Sequence, residues 1–215
     1  MMIYSQLAIV SLVFLVLWFP FQLICHLSET GYNPLVNAVS DYGSHPKTRK
    51  FALLAWWTTA LGAAFLTAAA AELFESANIN ATSGIALLGV FAGARLLTSC
   101  FKNLVRHNPP PNQDPDDQTA QNNTMLHVVF AILSFASICA AEILLSKASM
   151  GTQLAETPVG MNSEGLYGLA IATCVAIIVM AFTRRAGVFG IGERIFYGFF
   201  FAWLLMFASL IVMTN

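Results

Sequence analysis

The chain has 215 residues, of which 57% are hydrophobic and only 10% are charged. An average soluble domain is roughly 45–50% apolar and about a quarter charged. With a mean hydropathy of +0.69, the composition excludes a soluble globular protein and a disordered one. The formal net charge of -1 lacks the basic excess of nucleic-acid-binding proteins, so we expect no nucleic acid as a partner.

Six apolar stretches are long enough to cross a bilayer as helices. Because about 20 mostly apolar residues span a hydrocarbon core of about 30 Å, the sequence predicts an all-α, polytopic membrane bundle of six helices. The predicted spans, in one domain over residues 1–215, are about 7–27, 51–74, 84–101, 125–145, 166–182 and 195–213. Residues 102–124 are rich in proline and are predicted to form an extended, solvated linker.

The basic residues predict how the bundle is oriented. Only Lys147 lies in the connections after even-numbered spans or at the termini, and Arg95 lies inside a span. By the positive-inside rule, the connections after odd-numbered spans face the cytoplasm and both termini lie outside. We expect an inner (plasma) membrane location. The connections that we assign to the cytoplasm contain Lys47, Arg49, Lys50, Lys102, Arg106, Arg184, Arg185 and Arg194.

Arg95 is the most informative residue, because it lies inside the third predicted span. A charge at such a depth costs about 2.5–3.5 kcal/mol on insertion scales, so Arg95 needs a polar partner or a water-filled cavity. Ser99 follows it at helical spacing and extends a polar stripe towards the cytoplasm. The alternative is that Arg95 only snorkels to the lipid headgroups along its aliphatic stem.

Further polar side chains are predicted at the same membrane face: Asp41, His127, Glu193 and Arg194. Because Arg95 needs a counter-charge, we predict that these residues converge with it into one cytoplasm-facing pocket, with Asp41 or Glu193 as the acid. Tyr197, four residues after Glu193, extends the same helical face inward. Simpler roles remain open, since Asp41 can cap a helix and Glu193 can complement a helix dipole.

Templates for catalysis and metal binding are missing from the sequence. It contains no H-E-x-x-H, no G-x-S-x-G and no C-x-x-C pattern. We therefore expect no metal and no cofactor, and we interpret the four cysteines as free thiols. Glu72 and Glu142, near the outer ends of their spans, are expected to face water or headgroups.

Several short motifs are distributed along the chain: Asn33-Pro34, Ser40-Asp41-Tyr42-Gly43, Arg95, His127, Gly192-Glu193-Arg194 and Trp203. Through these motifs the chain resembles a prokaryotic six-helix membrane family designated domain of unknown function nine-nine-eight. The Ser-Asp-x-Gly element is also similar, more distantly, to the DRAM and Frag membrane proteins, some of which are associated with lipid handling. The resemblance implies a six-helix fold and a shared polar site, without a reaction.

Three functions follow as hypotheses. The first is binding of a lipid headgroup or another anion at the polar cluster, with lipid handling or transport as its purpose. The second is an intramembrane lipid-modifying enzyme, in which His127 is the general base and Asp41 orients it. The third is a structural or accessory membrane subunit. Membrane lipids are the expected partners, and a homo-oligomer or a membrane-protein partner is left open.

Overall fold

A computed structural model describes residues 2–110, 113–114, 116–150 and 158–214, apart from the side chains at 158 and 161. Every regular element within these ranges is helical. In chain order they are α1 (Ile3–Leu27), a 3-10 helix (Val39–Gly43), α2 (Arg49–Ser76), α3 (Thr82–Cys100), α4 (Gln118–Ser149), α5 (Pro158–Met161), α6 (Ser163–Arg185) and α7 (Phe189–Met213). Six of these helices are long and apolar enough to cross a membrane, which confirms the predicted six-helix bundle.

The six long helices form a ring in chain order. Each packs against its neighbours in the sequence α1, α2, α3, α4, α6 and α7, and α7 closes the ring against α1. Helix α7 also contacts α2 and α4 and is the most buried of the spans. Residues on α7 therefore face the interior of the bundle from several sides.

Aromatic side chains of α7 fill the core, and small residues on α2 allow the other helices to approach. Phe196, Trp203 and Phe207 are fully buried. On the α1 side, a Cβ added to Gly62 would lie 2.8 Å from the Cγ of Leu15, so only glycine permits this contact. Because lipid chains are as apolar as the core, close packing rather than transfer from water stabilises such contacts.

The segment between α3 and α4 combines exposed residues with a few local contacts. Its last residues are helical, since α4 begins at Gln118 with Asp117 as the capping residue. Pro110 is buried, and the Gln113 side chain bonds to both the N–H and the carbonyl of Val105, at 2.9 and 2.8 Å. Residues 102, 106–109, 114, 116 and 117 are exposed, and the solvated character of the segment stays a prediction.

Eight of the basic residues lie at one end of the ring, in or beside residues 28–48, 101–117 and 186–188. We call this end the basic end. The connection 77–81 lies at the other end, which we call the opposite end.

Candidate functional site

The connection between α1 and α2 is fastened to the first turn of α7. The N–H groups of Gly190 and Ile191 donate to the carbonyls of Val36 and Leu35 at 3.3 and 3.2 Å. The first N–H groups of a helix lack the usual acceptor four residues earlier, and the connection supplies one here; the Ile191 N–H also bonds to the Val188 carbonyl at 3.3 Å. A Cβ on Gly190 would lie 2.3 Å from the Asn37 carbonyl oxygen, and position 190 therefore requires glycine.

Arg194 strengthens the same attachment from one turn further along α7. Its Nη1 donates to the carbonyl oxygens of Pro34 at 2.6 Å, Asn37 at 2.9 Å and Gly190 at 2.8 Å. Its Nε and Nη2 are buried and, within the part of the chain that the structure describes, lie within hydrogen-bond distance of no acceptor, although the Tyr42 hydroxyl lies beside the guanidinium. Carbonyl oxygens fix the orientation of a guanidinium but do not neutralise its charge.

Glu193 binds the same connection through its carboxylate. Its Oε2 accepts a hydrogen bond of 2.5 Å from the Val39 N–H, at the start of the 3-10 helix. The side chain is buried and interacts electrostatically with Arg95, Arg194 and Asp41. Glu193 is thus a fixed acid between the connection and the interior of the bundle.

Asp41 organises the connection itself. Its Oδ2 accepts hydrogen bonds from the Ala38 N–H at 2.9 Å and from the Asn37 Nδ2 at 3.2 Å, and its Oδ1 accepts from the Asn103 Nδ2 at 2.9 Å. Burial raises the pKa of Asp41, and these three bonds oppose the rise because they favour the ionised form. Asn103 joins the connection after α3 to the one after α1.

Arg95 points into the bundle rather than towards lipid, and it is only 2% exposed. Its Nη2 donates to the hydroxyl of Tyr197, and its guanidinium lies over the rings of Tyr197 and Trp56, 5.0 and 5.9 Å from their centroids. Such placement over aromatic faces stabilises a desolvated cation. Among the described residues Arg95 makes no ion pair within 4.0 Å, so Glu193 acts on it at longer range.

His127 is buried beside Arg95 but does not contact Asp41. Its Nδ1 lies 2.9 Å from the Phe101 carbonyl oxygen, and its ring lies 5.9 Å from that of Trp56. A carbonyl can only accept, so Nδ1 carries a hydrogen. The geometry does not contain the pairing in which Asp41 orients His127.

Ser99 lies outside this group. Its hydroxyl donates to the Leu96 carbonyl at 2.6 Å and accepts from the indole N–H of Trp57, a side chain that is 48% exposed. The polar stripe expected to run from Arg95 through Ser99 therefore does not continue inside the bundle, because the Ser99 hydroxyl lies on the side of the exposed Trp57.

The structure thus brings the predicted residues together in two neighbouring sets. Asp41, Glu193 and Arg194 hold the α1–α2 connection, while Arg95 and His127 share the ring of Trp56. Sequence reasoning missed Asn37, Asn103 and Trp56, which hold these sets in place. Asn37 was detectable, since it precedes Asp41 by one helical turn, but Trp56 lies within an apolar run that gives no such signal.

A groove of about 360 Å³ runs between α1 and α7, and Arg194 borders its polar end. His26 also lies at this end, where its Nδ1 is 2.9 Å from the Tyr42 hydroxyl. Burial raises the pKa of Tyr42, and Arg194 beside it opposes that rise. The rest of the groove is mostly apolar and is lined by Trp18, Phe19, Val39, Tyr197, Gly198, Phe201, Ala202 and Leu205.

Glu142 corrects a sequence expectation at the other end of the bundle. It is fully buried within the ring and faces neither water nor headgroups. Within the described parts of the chain, no group of three His, Cys, Asp or Glu side chains could hold a metal ion. The four cysteines are free.

Comparison with known proteins identifies the family but no individual relative. Neither the curated proteins nor the solved structures give a significant match. The family model described as "Protein of unknown function (DUF998)" matches residues 9–210, which is nearly the whole chain. Together with six helices of membrane-spanning length, this match shows that the protein is a multi-pass integral membrane protein of the DUF998 family.

Proposed function

We propose that this protein binds the anionic headgroup of a membrane lipid at the basic end and takes part in handling or transporting that lipid. The headgroup would lie against Arg194, and an acyl chain would occupy the groove between α1 and α7. One observation carries the proposal: an arginine that, among the described residues, bonds to carbonyls and has no acidic partner within 4.0 Å borders the polar end of a mostly apolar groove.

The charge at this end of the groove favours an anionic group. Among the described residues Arg194 makes no ion pair within 4.0 Å, and its Nε and Nη2 have no partner. A guanidinium is a preferred partner for phosphate because its N–H groups match two phosphate oxygens. Local movement of the Arg194 side chain would expose these N–H groups to the groove.

The remaining lining favours the hydrocarbon part of a lipid. Trp18, Phe201 and Leu205 present apolar surface, and the groove volume lies in the range of about 300–1,000 Å³ that small-molecule sites occupy. Phe19, on the rim, is 45% exposed on the outer surface of the bundle. A lipid could therefore enter sideways from the bilayer without crossing water.

The proposal includes the orientation and location expected from the sequence. We place the basic end in the cytoplasm and the protein in the inner (plasma) membrane, on the positive-inside rule. Membrane lipids are then available as partners at the leaflet that Arg194 faces.

A structural role for the polar cluster is the second candidate. Glu193, Asp41 and one side of Arg194 bond to the main chain or amides of the connections, so they fix the fold whether or not a ligand binds. The enzyme hypothesis has less support, because His127 bonds to the Phe101 carbonyl and both oxygens of Asp41 bond to other donors.

A pair of glycine variants tests the proposal. Gly198 lines the groove and Gly168 lies on α6, and a Cβ added at either would meet nothing within 4 Å. Gly198→Leu therefore fills the groove without disturbing the fold, and Gly168→Leu is the matched control. We expect Gly198→Leu to lower lipid retention in native mass spectrometry at least tenfold, and Gly168→Leu to leave it unchanged.

Two titrations of the delipidated protein distinguish the source of the anion. Phosphatidylglycerol should bind to the wild-type protein and lose affinity in Gly198→Leu. Inorganic phosphate should bind weakly, and its affinity should be the same in the wild-type protein and in Gly198→Leu. Equal lipid binding by both glycine variants would contradict the groove as the site. Tight phosphate binding that Gly198→Leu does not change would indicate a soluble anion instead.

A further inference from the structure

Glu142 is a buried acid that the polar cluster at the basic end does not use. It lies on α4, seven residues before the helix ends at Ser149, and is 0% exposed. Both of its carboxyl oxygens are buried, and among the described residues only the Thr173 hydroxyl lies close enough to act as a polar partner. An acid within a membrane-spanning helix is costly enough that a role in binding or proton transfer is the first expectation.

The surroundings of Glu142 contain no counter-charge. Helix α6 contributes Thr173, whose hydroxyl donates to the Leu169 carbonyl at 3.0 Å, and the thiol of Cys174, and α4 itself contributes Cys139. The parts of α3 and α7 packed at this level contain no charged or titratable side chain. Lys147, on the same helix, lies instead over the ring of Tyr167.

An ionised carboxylate in this position would have neither a cation nor N–H donors. Desolvation of a charge without such partners is so unfavourable that the group takes up a proton instead. The neutral acid needs no counter-ion, and it matches an environment of hydroxyl and thiol groups.

Polar residues on α4 connect Glu142 with the opposite end. Ser146 and Ser149 follow it at helical spacing of four and seven residues, and both are fully buried. The Ser146 hydroxyl accepts a hydrogen bond of 3.0 Å from the indole N–H of Trp203 on α7. The Ser149 hydroxyl donates to the Leu145 carbonyl at 3.0 Å, so a file of buried hydroxyl groups follows Glu142 along α4 towards the opposite end.

We propose that Glu142 forms an intramembrane proton-binding site, separate from the cluster at the basic end, which holds a proton at neutral pH and exchanges it with water at the opposite end. Protonation converts the carboxylate to the neutral acid, and deprotonation returns the proton to water through the serine file. The protonation state of the Glu142 carboxyl group is therefore coupled to the contacts that α4 makes with α6 and α7.

Infrared spectroscopy of the full-length protein in phosphatidylcholine vesicles tests this proposal. We expect a carbonyl band of a protonated carboxylic acid at neutral pH that is absent in Glu142→Gln, shifts in D₂O and disappears at alkaline pH. Glu72→Gln, which changes an exposed acid near the same end of α2, should leave the band intact. Thr173→Val should shift the band without abolishing it. This variant replaces Glu142→Gln in the assignment of the band if Glu142→Gln fails to fold.

Each alternative result overturns the proposal in a different way. Absence of the band at neutral pH would show that Glu142 is ionised. A band that neither shifts in D₂O nor responds to alkaline pH would show a sealed, permanently neutral acid. A band that persists in Glu142→Gln and does not move in Thr173→Val would belong to another carboxyl group.

Discussion

At the basic end, residues 28–48 form a long connection that side chains of α7 and of the α3–α4 segment hold in place, whereas at the opposite end residues 77–81 simply join α2 to α3. The basic end buries one arginine, Arg95, and two acids, and every acid oxygen that bonds there does so to an N–H donor. The opposite end has a buried acid, Glu142, whose carboxylate meets no N–H donor among the described residues.

The difference shows that burial of charge follows two separate rules in this bundle. Asp41, Glu193 and Arg194 are retained at the basic end because main-chain groups of an ordered connection bond to them, which requires the connection to keep one conformation. Glu142 has no such support, so the same degree of burial favours its neutral form. The following experiments change one end and leave the other as the reference.

The largest effect should come from labelling the two ends from opposite sides of the membrane. In a Cys100→Ser background, Asp114→Cys at the basic end and Asn80→Cys at the opposite end are both exposed positions. We expect an impermeant thiol reagent outside the cell to label only the cysteine at position 80. Labelling of position 114 alone would reverse the orientation, and labelling of both would contradict an ordered bundle.

Loss of the Arg95 side chain should have the next largest effect. Arg95→Ala removes the donor to Tyr197 and the longer-range partner of Glu193, and breaking such a buried arrangement costs about 3–5 kcal/mol. Arg95→Lys keeps the charge and should lose less, and Glu193→Gln should reduce the loss in Arg95→Ala. Thermal unfolding in detergent measures these differences, and equal losses for Ala and Lys would argue against an electrostatic role.

Gly190→Ala should weaken the attachment of the α1–α2 connection specifically. Its Cβ would lie 2.3 Å from the Asn37 carbonyl oxygen and 2.5 Å from that of Pro34, so the backbone must move, at a cost of about 1–3 kcal/mol. Gly198→Ala, with open space around its Cβ, is the matched control. Limited proteolysis should cut residues 28–48 faster in Gly190→Ala alone, and equal rates would show that the close approach does not hold the connection.

The pH dependence of Asp41 should be the smallest effect. Burial raises the pKa of Asp41 in the folded protein above its ordinary value of 3.8. At a pH between the ordinary and the raised pKa, the folded protein therefore keeps a proton on Asp41 that the unfolded chain has lost. The free energy of unfolding therefore decreases as pH rises through that interval and levels off above it. Melting of wild type and Asp41→Asn between about pH 4 and 7 isolates this slope, and the same slope in both would assign it to other groups.

Much of the fold could be predicted from the sequence, because spans are long apolar runs and hydropathy reports them directly. The importance of Arg95 was also visible, since a charge within an apolar run has few explanations. The partner of Arg95 was not, because Tyr197 and Trp56 reach it through packing between helices that are distant in sequence. Glu142 was misplaced for a related reason: position near the end of a span does not show which way a side chain faces.

The central claim is that a lipid occupies the groove between α1 and α7 with its headgroup against Arg194, and a cryo-electron microscopy map of the protein in phosphatidylglycerol-containing nanodiscs tests it most directly. We predict elongated density along the groove beside Trp18 and Phe201, ending in a compact feature beside Arg194 and His26. The same map for Gly198→Leu should lack it. A groove that is empty in the wild-type map, or density whose polar end points away from Arg194, would contradict the claim.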